Sequence, residues 1–218
     1  MVEIIYEDEA LIVCRKAAGM PVQTSGIAAK DMVSELKKYL ARDFAGEPYL
    51  GVVHRLDQPV EGLVVFAKTP QAASSLSAQV KEGGGMYKEY LARVYGRILN
   101  RSGRLEDYII KGKNNMSRIA AENERGAQKA VLEYDCIEED EYTRLLRIVL
   151  HSGRHHQIRL QLAHAGAPIL GDQRYGNEKA LEYAKENGIR RLCLAAVRLE
   201  FTHPLSGERK SFEADVKM

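Results

Sequence analysis

Residues 61–76 read Glu-Gly-Leu-Val-Val-Phe-Ala-Lys-Thr-Pro-Gln-Ala-Ala-Ser-Ser-Leu. Leu63-Val64-Val65-Phe66-Ala67 is an unbroken apolar run with β-branched residues, the pattern of a strand covered on both faces. Thr69-Pro70 then opens a helix, with Ala72, Ala73, Leu76 and Val80 on one face. Gly83-Gly84-Gly85 ends it, because consecutive glycines supply the backbone freedom of a turn. A covered strand passing directly into a helix implies a sheet with helices packed upon it.

Toward the N-terminus, Ile4-Ile5-Tyr6 and Leu11-Ile12-Val13-Cys14 predict two strands around the acidic turn Glu7-Asp8-Glu9. Met32, Val33, Leu36, Tyr39 and Leu40 recur at helical spacing over 30–42, after a short Ser-Gly segment. Toward the C-terminus, strands are expected over 87–95, 129–137 and 143–151. A helix over 157–165 is stopped by Gly166 and Pro168. A polar helix over 178–187 follows, then a strand over 192–201 and a hairpin at 203–207. The strands mostly follow one another through turns, so the fold class is α+β with a mixed, mainly antiparallel sheet, rather than doubly wound. The chain shows no repeat or linker, and its 218 residues suit a single domain over 1–218.

Hydrophobic residues make up 45% of the chain and charged residues 28%, which fits a globular protein in water. No basic segment followed by an apolar run opens the sequence, and no window approaches the ~20 apolar residues of a membrane span. Cys14, Cys136 and Cys193 are scattered and odd in number, which favours buried thiols in a reducing cytoplasm over a disulfide framework. A net charge of +2 neither requires nor excludes a nucleic-acid partner. Between Lys111 and Lys129 five Lys or Arg stand against two Glu, with Asn114, Asn115, Ser117 and Gly126 interleaved. Such a segment can follow a phosphate backbone, or simply be a solvated hairpin loop.

Three segments can carry chemistry. Gly51 to Pro59 contains His54-Arg55-Leu56-Asp57, a polar interruption between apolar stretches. If extended, it turns Arg55 and Asp57 to one side and Leu56 to the other. A nucleophilic carboxylate must stay ionised, which needs a nearby cation or several N–H donors; taken alone, the segment reads more simply as a structural ion pair. His151-Ser152-Gly153-Arg154-His155-His156-Gln157-Ile158-Arg159 packs basic groups where a strand passes into a helix, a place suited to an anion. Its histidines lack the companions of a zinc site, so no metal is expected. Tyr87 and Tyr90 lie on opposite faces of a strand, so one can be core and the other can stack on a base. Phosphate loops, kinase signatures and hydrolase elbows are missing from the sequence.

In order and spacing these segments resemble the RluA family of pseudouridine synthases along nearly the whole chain. The opening from Ile5 to Val22 with Lys16 and Gly19, the stretch Val53–Lys68, the Lys88-Glu89-Tyr90 strand, Ser152–Gly176 and the ending from Leu192 to Glu208 each have a counterpart there. The resemblance implies the pseudouridine synthase fold with flanking helices and a central RNA-binding cleft. It also implies isomerisation of uridine in ribosomal or transfer RNA. By the same resemblance Asp57 is the nucleophile, Arg159 keeps that carboxylate ionised, and Tyr90 packs on the flipped base. Arg55 then fills the space the nucleotide leaves, since flipping costs a few kcal/mol, and Arg154 is a phosphate contact. His54, His156 and Gln157 join them as candidate substrate-binding residues. No cofactor is implied, and the expected partner is RNA alone, with a cytoplasmic monomer and no membrane. Many relatives carry an S4-type module before the catalytic domain; here the pattern begins at residue 3, so none is expected. Val60-Glu61-Gly62 departs from the family's Thr-Ser-Gly, Ala17 replaces a common proline, and Gln161 stands where histidine is frequent. Glu61 adds a like charge near Asp57 and leaves one rival: a non-catalytic RNA-binding protein that retains the fold. Glycosidic hydrolysis would need a second catalytic carboxylate, for which Glu61 is the local candidate.

Overall fold

A computed structural model describes residues 2–24, 30–42, 46–96, 100–112 and 114–216. The Ser25-Gly26 segment before the first helix and Lys113 of the basic stretch lie outside the described residues. The described residues divide into two compact units, one within 2–87 and 196–216, the other within 88–195.

In the first unit, β1 (Glu3–Glu7) pairs antiparallel with β2 (Leu11–Lys16), and β2 with β4 (Glu61–Ala67). The two-residue β3 (Gly51–Val52) also pairs with β4. Strand β10 (Leu194–Thr202) lies beside β4 and carries β11 (Arg209–Glu213) antiparallel on its other side. The opening stretch forms as its pattern dictates. Leu63 to Ala67 are all buried, and α2 (Pro70–Val80) starts with the Thr69 hydroxyl accepting the Ala72 N–H at 3.1 Å. Ala72 and Leu76 pack with Leu11, Val13, Leu63, Val65 and Phe201 as the core. Helix α1 (Met32–Leu40) is capped by Asp31 and buries Met32 and Leu36.

In the second unit the order is β5 (Tyr87–Tyr95), β9 (Thr143–Leu150), β8 (Gln128–Glu139), β6 (Ser102–Lys111), β7 (Ser117–Ala120), each pair antiparallel. Along β5 burial alternates strictly, with Lys88, Tyr90, Ala92 and Val94 covered. Helix α3 (Gln157–His164) has six consecutive buried residues, Gln157 to Leu162. Helix α4 (Glu178–Glu186) is capped by Asn177 and buries only Ala180 and Ala184. The α+β, mainly antiparallel expectation is therefore borne out.

The basic stretch differs from a loop. Strands β6 and β7 form a hairpin whose turn residues Asn114 and Asn115 have φ of 54° and 55°, the left-handed geometry of a tight hairpin. Part of its charge is matched: Arg118 pairs with Glu124, and Lys129 with Glu106.

Candidate active site

Asp57 belongs to the first unit, in an irregular segment between β3 and β4. The segment is not a ladder strand, yet its side chains alternate as expected: Arg55 is exposed, Leu56 buried, Asp57 half-buried. Its end is tied down. The Gln58 carbonyl accepts from the Gly19 N–H at 2.9 Å and from Lys16 Nζ at 2.9 Å, and the Gln58 amide returns a bond to the Gly19 carbonyl at 3.0 Å. The Val60 N–H closes a turn onto the Asp57 carbonyl at 3.0 Å.

Lys16 is wholly buried, and its ammonium also donates to the carbonyls of Ala17 (3.1 Å) and Met20 (2.7 Å). Burial pushes its pKa down to about 8, while the charges of Asp57 and Glu61 act in the opposite sense. The nucleophile candidate thus sits on a loop pinned through the carbonyl next to it by a buried cation. His54 turns its ring inward, where Nε2 accepts the Val65 N–H of β4 at 3.1 Å. Gly62 has φ of 124° and lies against the Ala196 backbone of β10 so closely that a Cβ there would overlap it. That explains why glycine persists at 62 although the two residues before it depart from the family pattern.

In the second unit Arg159 projects from the first turn of α3 and is only 4% exposed. Its guanidinium is held side-on by Asp172, with Nε donating to Oδ2 at 2.8 Å and Nη2 to Oδ1 at 2.7 Å. Asp172 also accepts the backbone N–H groups of Arg174 (2.9 Å) and Tyr175 (3.2 Å). Burial alone would raise the Asp172 pKa; the bonds and charge of Arg159 and the two N–H donors outweigh it and hold the carboxyl below its ordinary range. Above the guanidinium lies the Tyr175 ring, 5.2 Å from its centroid.

The helix start is built from side chains that satisfy one another. His156, with φ of 56°, supplies no side-chain cap; its Nδ1 takes the Tyr175 hydroxyl at 2.8 Å, and that oxygen accepts the Ser117 N–H at 2.9 Å. The His155 ring stacks on His156 at 3.8 Å and bridges the Ser117 hydroxyl (2.8 Å) and the Asn115 amide oxygen (2.9 Å). Gln157 uses its whole amide within the protein. Its oxygen accepts from the Ser152 hydroxyl (2.8 Å) and the Arg154 N–H (3.0 Å), and its nitrogen donates to the Val131 carbonyl (3.1 Å) and Gln161 (3.0 Å). Gln161 passes the chain on to Asp107 at 2.8 Å, which also meets His164. Arg154 leans on the Lys129 carbonyl at 2.8 Å. Tyr90 lies on the covered face of β5, 6% exposed, whereas Tyr87 faces the other way under Arg198.

The first unit therefore gathers His54, Arg55 and Asp57 on one pinned segment. The second gathers Arg154, His156, Gln157 and Arg159 around one helix end. Sequence reading missed Asp172 and Tyr175 as the groups that orient Arg159, and Asp107 as the end of the glutamine chain. A signal for Asp172 existed: an arginine buried on a helix needs a carboxylate, and Asp172 follows the glycine that turns the chain back. Among the described residues, no cluster of three or more His, Cys, Asp or Glu can hold a metal ion.

Comparison with known proteins adds the rest. A family model described as RNA pseudouridylate synthase matches residues 10–164. The tRNA pseudouridine synthase C of Pasteurella multocida is 34% identical over 231 residues, covering 98% of this chain and 91% of that protein. The ribosomal large subunit pseudouridine synthase D of Zymomonas mobilis is 31% identical over 220 residues, covering 98% of this chain and 69% of that protein. Among solved structures, human RNA pseudouridylate synthase domain containing 4 superposes with a TM-score of 0.79 at 21% identity, over 99% of this chain and 88% of its own. At that identity the superposition establishes the fold alone.

Proposed function

The chain belongs to the RNA pseudouridylate synthase family, RNA-modifying isomerases, and from that premise we propose that it converts uridine to pseudouridine in ribosomal or transfer RNA with Asp57 as nucleophile. The reading rests above all on one observation. The family match spans Asp57, Tyr90 and Arg159 within residues 10–164, the three side chains this chemistry needs and mere RNA binding does not. In the proposal the Asp57 carboxylate attacks the flipped nucleotide, at the sugar C1′ or at the pyrimidine ring. The C1′–N1 bond breaks, the uracil rotates, a C1′–C5 bond forms, and the proton lost from C5 is balanced by one gained at N1. Arg159 keeps the nucleophile ionised, and its own orientation comes from Asp172 and Tyr175. Tyr90 packs on the base and serves proton transfer. Arg55, exposed beside Asp57, takes the flipped nucleotide's place in the stack, and Arg154 meets a phosphate. His54, His156 and Gln157 remain within the proposed substrate site, but their bonds to the fold favour holding it over touching RNA.

The remaining parts of the proposal follow from the chemistry. An isomerisation needs no acceptor or redox partner, hence no small-molecule cofactor. The match runs across both units, which supports one catalytic domain over 1–218. A monomer in the cytoplasm completes it; among the described residues no helix is long and apolar enough to cross a membrane.

The test is to map pseudouridine by carbodiimide-dependent primer-extension stops in total RNA from cells with and without this gene. Stops lost with the gene, and restored by the wild type but not by Asp57→Asn, support the reading. Stops that all persist without the gene overturn it.

A further inference from the structure

Lys88 is largely buried, yet the described residues supply its ammonium no partner. Strand β5 alternates, so Lys88 and Tyr90 share its covered face, about 6.6 Å apart along the strand. Only 7% of Lys88 is exposed. Among the described residues no carboxylate, carbonyl or hydroxyl partners its ammonium, and burial is the one influence on its charge, drawing its pKa below the usual lysine range. The contrast with Lys16 is direct, since that wholly covered ammonium donates to three carbonyls. The Lys88 stem packs while its tip reaches solvent, for Nζ is not one of the described side-chain atoms that are wholly buried without a partner. A cation held this far into the fold without acceptor or counter-ion gains from an anion at its tip.

Where the tip emerges says what it can meet. A Cβ on residue 153 would stand 3.8 Å from Lys88 Nζ, and residue 153 is an exposed glycine, so the ammonium emerges over bare backbone there. Gly153 leads through Arg154 into α3, whose first turn has no side-chain cap and whose dipole favours an anion at that end. An unpaired cation, an uncovered glycine backbone and a helix start therefore meet beside the Tyr90 face.

We propose that Lys88 and the Gly153 backbone form a seat for a phosphate of the RNA strand, next to the base packed on Tyr90. The missing counter-ion of Lys88 is then supplied by the substrate, and the spacing along β5 suits a base and its own phosphate. The identity of the ligand as RNA rests on the function proposed above.

The probe is a short single-stranded oligouridylate, with binding followed by fluorescence anisotropy across a salt series and the melting temperature of the free protein measured in parallel. Lys88→Met should weaken binding roughly tenfold. It should also reduce the slope of log affinity against log salt by about 0.7, the value for one phosphate on a single strand. The melting temperature of the free protein should stay within about 2–4 °C of the wild type, showing that the variant folds. Lys88→Arg should keep the slope. If Lys88→Met fails to fold, Lys88→Gln gives the same readouts. A reduced slope supports the seat whatever the melting temperature does. An unchanged slope, or a wild type that shows no salt-dependent binding, overturns it. Loss of slope together with persistent pseudouridine stops would leave the seat standing and remove the enzymatic reading; the reverse pair would do the opposite.

Discussion

Replacing Asp172 by asparagine tests how Arg159 is held. The substitution keeps shape and hydrogen-bonding size but removes a charge that is 1% exposed from a guanidinium that is 4% exposed. One of the two oxygens becomes an NH2 group, which must face either Arg159 Nε or the cluster of N–H groups from Arg159, Arg174 and Tyr175. Breaking a buried pair from one side costs about 3–5 kcal/mol. In a domain of this length each kcal/mol moves the melting temperature by about 2–4 °C, so Asp172→Asn should melt roughly 6–20 °C below the wild type near neutral pH.

The pH dependence gives the charge argument its sharper form. The Asp172 carboxyl is held below its ordinary range in the fold. Its stabilisation is therefore present above the unfolded value of ~3.9 and is lost as pH falls through the lower folded value. The gap between wild type and Asp172→Asn, read by calorimetry, should be constant from about pH 7 to 5 and close below about pH 4. Turnover should fall while KM changes little, since Arg159 is proposed to act on the nucleophile and not on RNA affinity. A variant melting within ~2 °C of the wild type at neutral pH, or a gap that persists undiminished in acid, would refute the reasoning.

Two further outcomes follow from the first unit. Gly62→Ala should lose about 3 kcal/mol or more in urea unfolding, because a left-handed φ and contact with the Ala196 backbone leave no flexible atom to move; a loss under ~1 kcal/mol would sink that account. Lys16, at about 8 in the fold against 10.5 for a free lysine, binds fewer protons folded than unfolded between those values, so its contribution grows more favourable as pH rises through that window. Relative to Lys16→Met, the wild type should gain up to ~3 kcal/mol between about pH 7.5 and 10 by urea unfolding, and a flat difference would show that Lys16 titrates normally.

Most of the elements were legible because their periodicity was undisturbed: Leu63–Ala67 as a covered strand, the Thr69-Pro70 start of α2, the strict alternation of β5. Strand β6 was not, and the reason is local. Asp107 points inward at a position where an apolar residue would mark the period, since its carboxylate receives Gln161 and His164. Gly103 stands opposite the Tyr134 ring, which covers the site where a side chain would project. The Asn114-Asn115 pair carried the hairpin signal but stood among charges that read as a solvated loop. For the candidate site, the residue types were legible and their supports were not. Asp172 and Lys16 are charged groups in buried positions, and a sequence records a charge without recording what covers it.

Lys16 also bears on the departure at Glu61. Glu61 adds a second carboxylate four residues after Asp57. Both carboxylates favour the charged form of one ammonium, and that ammonium is fixed by three carbonyls and cannot turn away. Glu61 is thus added to a cation already present, not to Asp57 alone. The backbone limits the change further: Gly62 must remain glycine against Ala196, and Val60 is buried, so position 61, half-exposed at the strand start, is where the motif can vary without moving Asp57. The placement of Asp57 rests instead on Lys16, Gly19 and Gln58.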